Sequence, residues 1–206
     1  MIIIGVTGSI GMGKTTVATM ISDMTGAVTH NADDEVHHLL NAGGQGVAAV
    51  QKLFPPDHHP HIYEEESINR AALGELIFKD EGLRQKLEEA LHPLVRAAQK
   101  TLIQTQKESH SDIVVLDVPL LFETGGDQIC DVTLVASASA DIQKTRVMAR
   151  PNMSEEKFTA ILNRQMGDEE KRKRADHIID TGVDLEQTRA QIETIINHIK
   201  KDAAHA

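Results

Sequence analysis

The sequence predicts an α/β fold in which helices cover both faces of a parallel five-stranded sheet. Apolar strand-like runs alternate with helix-like periodicity along the chain, and a glycine-rich turn joins the first run to the first helix. A long interval, residues 32–106, holds amphipathic segments and no convincing strand. The strand-like runs lie at residues 2–6, 27–30, 113–116, 132–136 and 177–179.

The first run leads into a phosphate-binding loop (P-loop) at residues 8–15, Gly-Ser-Ile-Gly-Met-Gly-Lys-Thr. Its glycines let several backbone N–H groups point at one anion, and the following helix presents its positive end. Lys14 can reach the β- and γ-phosphates of a nucleoside triphosphate, and the Thr15 hydroxyl can join a Mg²⁺ shell. A chance glycine-rich turn is the alternative, which the flanking strand and helix disfavour. The residues predicted to hold the triphosphate are Gly8, Gly11, Met12, Gly13, Lys14 and Thr15.

The charge and the aromatic content of the chain indicate which classes of binding partner to expect. The 206 residues carry a formal net charge of −10, which repels nucleic-acid backbones and anionic membranes, and only 2% of them are aromatic. We therefore expect no nucleic-acid and no membrane partner. The first apolar run is too short for a signal peptide or a membrane span, which predicts a cytoplasmic protein. Cys130 is the only cysteine and is predicted to be a buried apolar residue.

The alternation of segments predicts three parts. A nucleotide-binding core comprises residues 1–31, 107–140 and 175–206, a helical insertion comprises 32–106, and a helical, cation-rich lid comprises 141–174. In the insertion, helices are predicted at 70–78 and 83–91, and a further helix is predicted to begin at Pro93 as its first residue. In the lid, Ser154 is predicted to cap a helix.

Aspartates follow two of the predicted strands, at the sheet edge where ligands of open α/β sheets bind. Asp117 ends the apolar run 113–116, so it can orient the metal shell on the Thr15 side, or it can be a turn aspartate. Asp33 and Asp34 follow the second run. One of them can accept the proton of an attacking hydroxyl, or both can form the acidic first turn of a helix. The residues alone leave both choices open.

Arginines in the predicted lid are candidates for stabilising a transferring phosphoryl group. Arg146 and Arg150 are four residues apart on one helical face, and Arg164 follows in the next helical segment. A solvated helix face is the alternative, because arginines at this spacing are common on surfaces. The run 171–174, Lys-Arg-Lys-Arg, is preceded by three acidic residues and is predicted to be an exposed helix that balances its own charges.

Over nearly its full length the chain resembles the dephospho-CoA kinase family, on motifs that are more specific than the P-loop. The lid residues Gln143, Arg146, Arg150, Ser154, Glu155 and Gln165 also follow the spacing of that family. The matching motifs are residues 8–15 with Thr16; Asn31-Ala32-Asp33; Arg70 with Leu73-Gly74 and Ile77-Phe78; His92-Pro93 with Arg96; Asp117-Val118-Pro119-Leu120-Leu121-Phe122-Glu123; and Ala175-Asp176 with Ile179-Asp180.

The resemblance implies a P-loop kinase that transfers the γ-phosphoryl group of ATP to the 3′-hydroxyl of dephospho-CoA, with Mg²⁺. It implies that Asp33 is the base and that Lys14, Thr16 and the loop amides hold ATP, with Thr15 as the metal ligand. It further implies that the insertion is a CoA-substrate domain and that the lid supplies cations. The residues implied in substrate binding are Asp33, Arg70, His92, Arg96 and Asp117, and the lid cations are Arg146 and Arg150.

The chain departs from the family pattern at a few positions. Asn31 stands where the first carboxylate of an Asp-Ala-Asp motif is usual, which puts the carboxylates that touch the metal in doubt, and Ala160 stands where many relatives carry Arg. Met12 and Thr15 replace the commoner serines of the loop. Thr15 keeps the hydroxyl and Met12 needs only its N–H, so neither threatens activity.

Two other functions remain alternatives at this point. One is a P-loop kinase that acts on a nucleoside monophosphate or a small alcohol. The other is a nucleotide-dependent switch, which is disfavoured because the sequence contains no Asn-Lys-x-Asp motif for reading guanine. Oligomeric state is left open by the sequence.

Overall fold

The structure, a computed structural model, describes residues 1–78 and 80–203. Its strands are β1 (Ile2–Thr7), β2 (Val28–Asn31), β3 (Tyr63–Glu64), β4 (Ser67–Ile68), β5 (Ile113–Asp117), β6 (Val132–Ser137) and β7 (His177–Asp180). Its helices are α1 (Lys14–Thr25), α2 (Ala32–Leu40), α3 (Gln45–Leu53), α4 (Arg70–Phe78), α5 (Glu81–Glu108), α6 (Ala140–Met148), α7 (Glu155–Leu162), α8 (Asp168–Arg174) and α9 (Leu185–Ala203).

The main sheet has the strand order β2-β5-β1-β6-β7, and all of its neighbouring strands are parallel. The predicted α/β fold class is confirmed, and the five predicted strands agree with the observed ones to within one or two residues. β1 lies at the centre of the sheet with β5 and β6 on either side. The loop after β1 therefore begins at the middle of the sheet edge that ligands of such folds occupy.

The two faces of β1 pack against different partners because successive side chains point to opposite faces. Ile4 and Val6 belong to a buried apolar cluster with residues of α1 and α9. On the other face Gly5 lies so close to the segment after β5 that a Cβ there would be 2.6 Å from Cys130 Sγ and 2.9 Å from Leu121 Cδ2. The cluster residues from the two helices are Val17, Ala18, Ile21, Ile192, Ile196 and Ile199.

The chain divides into two compact units. The first comprises Met1–Asn31 and the chain from Gln106 onward, and the second comprises Ala32–Thr105. The first unit contains the five-stranded sheet, and the second contains α2, α3, α4, most of α5 and the two short strands β3 and β4. The second unit has an apolar core of its own, which includes Val50, Phe54, Ile62, Leu87 and Leu91.

Two predictions for the interval 32–106 are wrong in detail. The interval contains an antiparallel hairpin, with Tyr63 opposite Ile68 and Glu64 opposite Ser67. Strands of two residues are too short to give an alternating pattern. The helix expected to begin at Pro93 begins at Glu81, and Pro93 lies inside it. The missing N–H and the steric cost of this proline are offset by the packing of Leu87 and Leu91 on the buried side of α5.

Within the residues that the structure describes, no helix combines the length and the apolar character that crossing a bilayer requires.

Candidate active site

The P-loop connects β1 to α1 and depends on glycine at two positions. Gly11 has φ 79°, and a Cβ there would lie 2.5 Å from Val147 Cγ2. Gly13 has φ 82° and is the N-cap of α1, where a Cβ would lie 3.2 Å from Thr181 Cβ. These positive φ values are in the left-handed region that side chains rarely adopt. Substitution at either position would therefore strain the backbone and crowd the neighbouring chain.

A fully buried carboxylate, Asp117, lies at the carboxyl end of β5 beside this loop. Lys14 Nζ donates to Asp117 Oδ1, and the Thr15 hydroxyl donates to Asp117 Oδ2 over 3.1 Å. Asn31 Nδ2, at the end of β2, donates to the same Oδ2 over 2.8 Å. The buried negative charge is thus paired with one ammonium group and accepts hydrogen bonds from two neutral donors.

The contact with Asn31 explains how the chain accommodates its departure from the Asp-Ala-Asp motif. The Asn31 side chain donates to a carboxylate that is 0% exposed. A carboxylate at position 31 would bring a second negative charge against Asp117 unless a cation or a proton separated them. The amide therefore supplies a donor where an aspartate has none.

Further polar contacts hold the loop from outside. Met12 is 3% exposed, and its Sδ accepts from the Ala138 N–H over 3.2 Å. The Thr181 hydroxyl donates to the Met12 carbonyl over 2.8 Å. From the sequence only the backbone N–H of Met12 is expected to matter, whereas its side chain also anchors the loop to the chain after β6.

The prediction that Arg146 and Arg150 share one helical face is wrong, because α6 ends at Met148; both arginines are exposed, but their contacts differ. Arg146, in α6, donates to the Thr181 carbonyl over 2.6 Å and to the Thr181 hydroxyl over 3.2 Å, and its Nη1 lies 3.5 Å from the Gly11 carbonyl. Arg150 follows α6 and is exposed. Arg146 therefore lies at the P-loop, and the role of each arginine toward a phosphoryl group stays a prediction.

Two glutamines contact the peptide groups of Ile10 in the P-loop. Gln143 Nε2 donates to the Ile10 carbonyl over 2.8 Å, and the Ile10 N–H donates to Gln165 Oε1 over 2.9 Å. In the sequence these glutamines stand out only for their spacing, which follows the dephospho-CoA kinase pattern. Because glutamine is neutral and neither residue lies in a charged motif, the sequence does not indicate that these side chains bond the P-loop.

The prediction that the run 171–174 is wholly exposed is wrong at Lys171, which is 0% exposed. Its Nζ lies 2.9 Å from Glu123 Oε1 and donates to the Pro119 carbonyl over 2.9 Å. Burial lowers the pKa of Lys171, and the hydrogen bond to Glu123 acts against that effect. Lys173 and Arg174 form the expected exposed ion pairs with acidic residues one turn earlier in α8.

The remaining predicted residues lie in the second unit. Asp33 and Asp34 are exposed in the first turn of α2, so they do form an acidic helix start, and the choice of base stays a prediction. Arg70 is exposed and is the first residue of α4. His92 is half-buried and Arg96 is exposed, one turn apart along α5. Their roles toward a substrate stay predictions.

The parallel sheet has a P-loop after its central strand, and the lysine and threonine of that loop bond a buried aspartate. This combination is typical of proteins that bind a nucleoside triphosphate through a P-loop, a class that includes the P-loop kinases. A family model for dephospho-CoA kinase matches residues 2–187. The dephospho-CoA kinase of Mesorhizobium japonicum is 43% identical over 202 residues, which cover 97% of this chain and 98% of that protein. That of Brucella melitensis is 42% identical over 206 residues, which cover 100% of this chain and 99% of that protein. The chain belongs to the dephospho-CoA kinase family.

Two solved structures are similar to this chain over nearly its whole length. The dephospho-CoA kinase from Campylobacter jejuni is 26% identical with a TM-score of 0.72, covering 98% of both chains. A crystal structure from Thermus thermophilus is 29% identical with a TM-score of 0.78, covering 96% of both chains. Enzymes of the family are ATP-dependent kinases that phosphorylate the 3′-hydroxyl of dephospho-CoA, the final step of coenzyme A biosynthesis.

Proposed function

We propose that the first unit of this chain binds the triphosphate of ATP through the P-loop amides and Lys14 and activates it for transfer to dephospho-CoA. The observation that carries this proposal is the convergence of Lys14, Thr15 and Asn31 on the buried carboxylate of Asp117. The ion pair with Asp117 holds the ammonium group beside the P-loop, from where it would exchange the carboxylate for phosphate oxygens when ATP binds. Thr16, exposed in the first turn of α1, is a further donor.

The oxygen donors at this position match the preference of Mg²⁺. The Thr15 hydroxyl and the Asp117 carboxylate are hard ligands 3.1 Å apart, and Mg²⁺ in kinases is held by few protein groups because phosphate oxygens and water complete its shell. Thr15 is the proposed direct ligand, and Asp117 is proposed to orient the shell. When bound, Mg²⁺ would neutralise charge on the β- and γ-phosphates.

Asp33 is the proposed base for the acceptor. Its carboxylate is exposed in the first turn of α2, which follows the last residue of β2 directly. The 3′-hydroxyl oxygen attacks the γ-phosphorus, the bond from that phosphorus to the bridging oxygen breaks, and ADP leaves with the electron pair. Asp33 orients the hydroxyl and takes its proton late in the step. No covalent enzyme intermediate is required.

Cations of the second unit are proposed to bind the phosphates of dephospho-CoA. The chain carries a formal net charge of −10, so a polyanionic ligand needs locally basic surroundings. Arg70 and Arg96 present exposed guanidinium groups, and His92 lies one turn before Arg96 on α5. Arginine binds phosphate through paired N–H donors, which lysine cannot match. In the first unit, Arg146 and Arg150 are the proposed cations of the lid, residues 141–174.

The role of Asp33 is tested by Asp33→Asn with Asp34→Asn as the matched control. Both carboxylates are exposed on the same helical turn, so the two substitutions remove equal charge from neighbouring positions. We expect D33N to lower the single-turnover rate of phosphoryl transfer by roughly 10²-fold or more with ATP affinity nearly unchanged, because a positioned proton acceptor is lost. D34N is expected to stay within about threefold of the parent rate.

Equal rates for D33N and the parent enzyme would remove Asp33 from this role, and a large loss in D34N alone would assign the role to Asp34. A panel of nucleoside monophosphates and small alcohols in the same assay separates dephospho-CoA from other acceptors.

A further inference from the structure

The P-loop is held at the peptide groups of Ile10 by the two glutamines, Gln143 and Gln165, described above. One glutamine accepts from the Ile10 N–H and the other donates to the Ile10 carbonyl. Ile10 is the residue before Gly11, within the glycine-containing part of the loop. Both polar groups of this residue therefore have side-chain partners from outside the loop.

Gln143 is held in place by a well-anchored helix. It is 6% exposed and lies in α6, whose first turn is capped by the Ser139 hydroxyl accepting from the Ile142 N–H. One turn further along the same helix, Arg146 donates to Thr181 next to the loop. The donor to the Ile10 carbonyl is thus part of a rigid element.

Gln165 is held in place by an ion pair in which the lysine, Lys171, is fully buried. The next residue, Met166, donates its N–H to Glu123 Oε1 over 2.7 Å, and Glu123 pairs with the fully buried Lys171. Lys171 also donates to the Pro119 carbonyl, which accepts a further hydrogen bond from the Thr7 hydroxyl over 3.1 Å. This chain of contacts joins the acceptor of the Ile10 N–H to the end of β1 and to the segment that follows β5.

We propose that Gln143 and Gln165 form a glutamine clamp that positions the P-loop for ATP. A loop with several glycines has many accessible conformations, and ordering it on binding would cost affinity. The clamp fixes the loop backbone before ATP binds. Because the glutamine amides are neutral, they neither repel the triphosphate nor compete with it for Lys14. This inference rests on the proposed binding of the triphosphate by the loop, and it concerns positioning residues that need not touch the ligand.

The test replaces each glutamine by methionine, which has similar length and no strong hydrogen-bonding group. Gln191→Met is the matched control, because Gln191, in α9, also bonds both peptide groups of one residue. It accepts from the Asp180 N–H over 2.9 Å and donates to the Asp180 carbonyl over 3.0 Å. We expect Q143M and Q165M each to raise KM for ATP by about fivefold to tenfold, the size of one or two net hydrogen bonds. KM for dephospho-CoA is expected to stay within about twofold, and Q191M is expected to match the parent in both values.

If the glutamines have only a structural role, the active fraction and the melting temperature fall, whereas the KM values for ATP and for dephospho-CoA do not change. That pattern, or an ATP KM for Q165M equal to that of Q191M, would overturn the clamp. Q165M keeps the test valid even where the buried Q143M does not fold, because Gln165 is only half-buried.

Two further variants separate the clamp from the function on which it rests. Lys14→Ala is expected to weaken ATP binding and turnover strongly. If K14A is impaired while the glutamine variants are not, the clamp is wrong and the loop assignment stands; if K14A binds ATP as the parent does, the loop assignment itself fails. The double variant Q143M/Q165M is expected to lose less than the product of the single losses, since both side chains act on the same residue.

Discussion

At the scale of single residues, the buried carboxylate of Asp117 organises the site. It accepts hydrogen bonds from the ammonium group of Lys14 and the hydroxyl of Thr15, both in α1, and from the amide of Asn31 at the end of β2. In the parallel sheet, Val6 and Asn31 lie opposite Asp117 on its two neighbouring strands. Such a charge is tolerated inside the protein because each of its oxygens is hydrogen-bonded. The position of Asp117 at the strand end was predictable from sequence, whereas the Asn31 contact required the parallel register of β2 with β5.

Cys130, which the sequence predicts to be buried, is half-buried in the structure, and its surroundings disfavour the thiolate. Burial, and to a lesser extent the carboxylates of Asp127, Asp131 and Asp176, raise its pKa to about 12. Because the thiolate is the nucleophile, we expect Cys130 in the native protein at pH 8 to react with iodoacetamide at least tenfold more slowly than in the urea-unfolded chain. Mass spectrometry of the labelled protein measures both rates, and equal rates would contradict the burial of the thiol.

The raised pKa of the Cys130 thiol lowers the stability of the folded protein at high pH. Above the ordinary pKa of a thiol the unfolded chain loses the proton while the folded chain keeps it, so the unfolded state is favoured increasingly as pH rises toward about 12. The parent should therefore lose more stability between pH 8 and pH 10 than Cys130→Ser, as measured by urea unfolding. An identical loss in both proteins would argue against the shift.

At the scale of elements, α8 combines a buried and an exposed lysine within one short helix. Lys171 is 0% exposed and paired with Glu123, whereas the Lys173 side chain is 64% exposed and paired with Glu169 in the same helix. In the sequence both lysines belong to one run of acidic and basic residues, 168–174, so the same exposed environment is expected for both. Only the tertiary contact with the loop after β5 distinguishes them.

This difference predicts unequal stability effects. Lys171→Met leaves the Glu123 carboxylate and the Pro119 carbonyl without their cation, and we expect it to lower the free energy of unfolding by about 2 to 4 kcal/mol. The matched substitution Lys173→Met breaks an exposed pair and is expected to stay within about 0.5 kcal/mol of the parent. Urea unfolding of the two variants measures the effects, and similar losses would show that the Lys171 pair is not a buried contact.

The sequence predicted those elements that carry a strong local pattern. The strands of the main sheet are apolar runs bounded by turns, and α4 was predicted with its observed bounds. Helix α5 was divided in the prediction because Pro93 is normally a first-turn residue, and the packing that keeps the helix continuous is a tertiary effect. Likewise, the bonds from Gln143 and Gln165 to Ile10 join residues more than 130 positions apart, and no local pattern encodes them.

At the scale of the whole molecule, the chain is built from two units that each have their own apolar core. The first unit contains the P-loop together with the groups that bond it, and the second contains the proposed base and the proposed cations for the acceptor. The chain belongs to the dephospho-CoA kinase family, whose reaction uses both a nucleotide and an acceptor. The residue roles in the second unit came from motif resemblance, because exposed arginines and aspartates do not reveal a ligand by themselves.

The most direct measurement is the reaction itself. Purified protein is incubated with Mg-ATP and dephospho-CoA, and mass spectrometry follows the nucleotide and CoA species, with fragmentation locating the added phosphate. We predict that ADP and CoA form in equal amounts, that the phosphate is on the ribose 3′-hydroxyl, and that Lys14→Ala abolishes both products under the same conditions. Binding of ATP without formation of CoA, or a phosphate at any other position, would contradict the account.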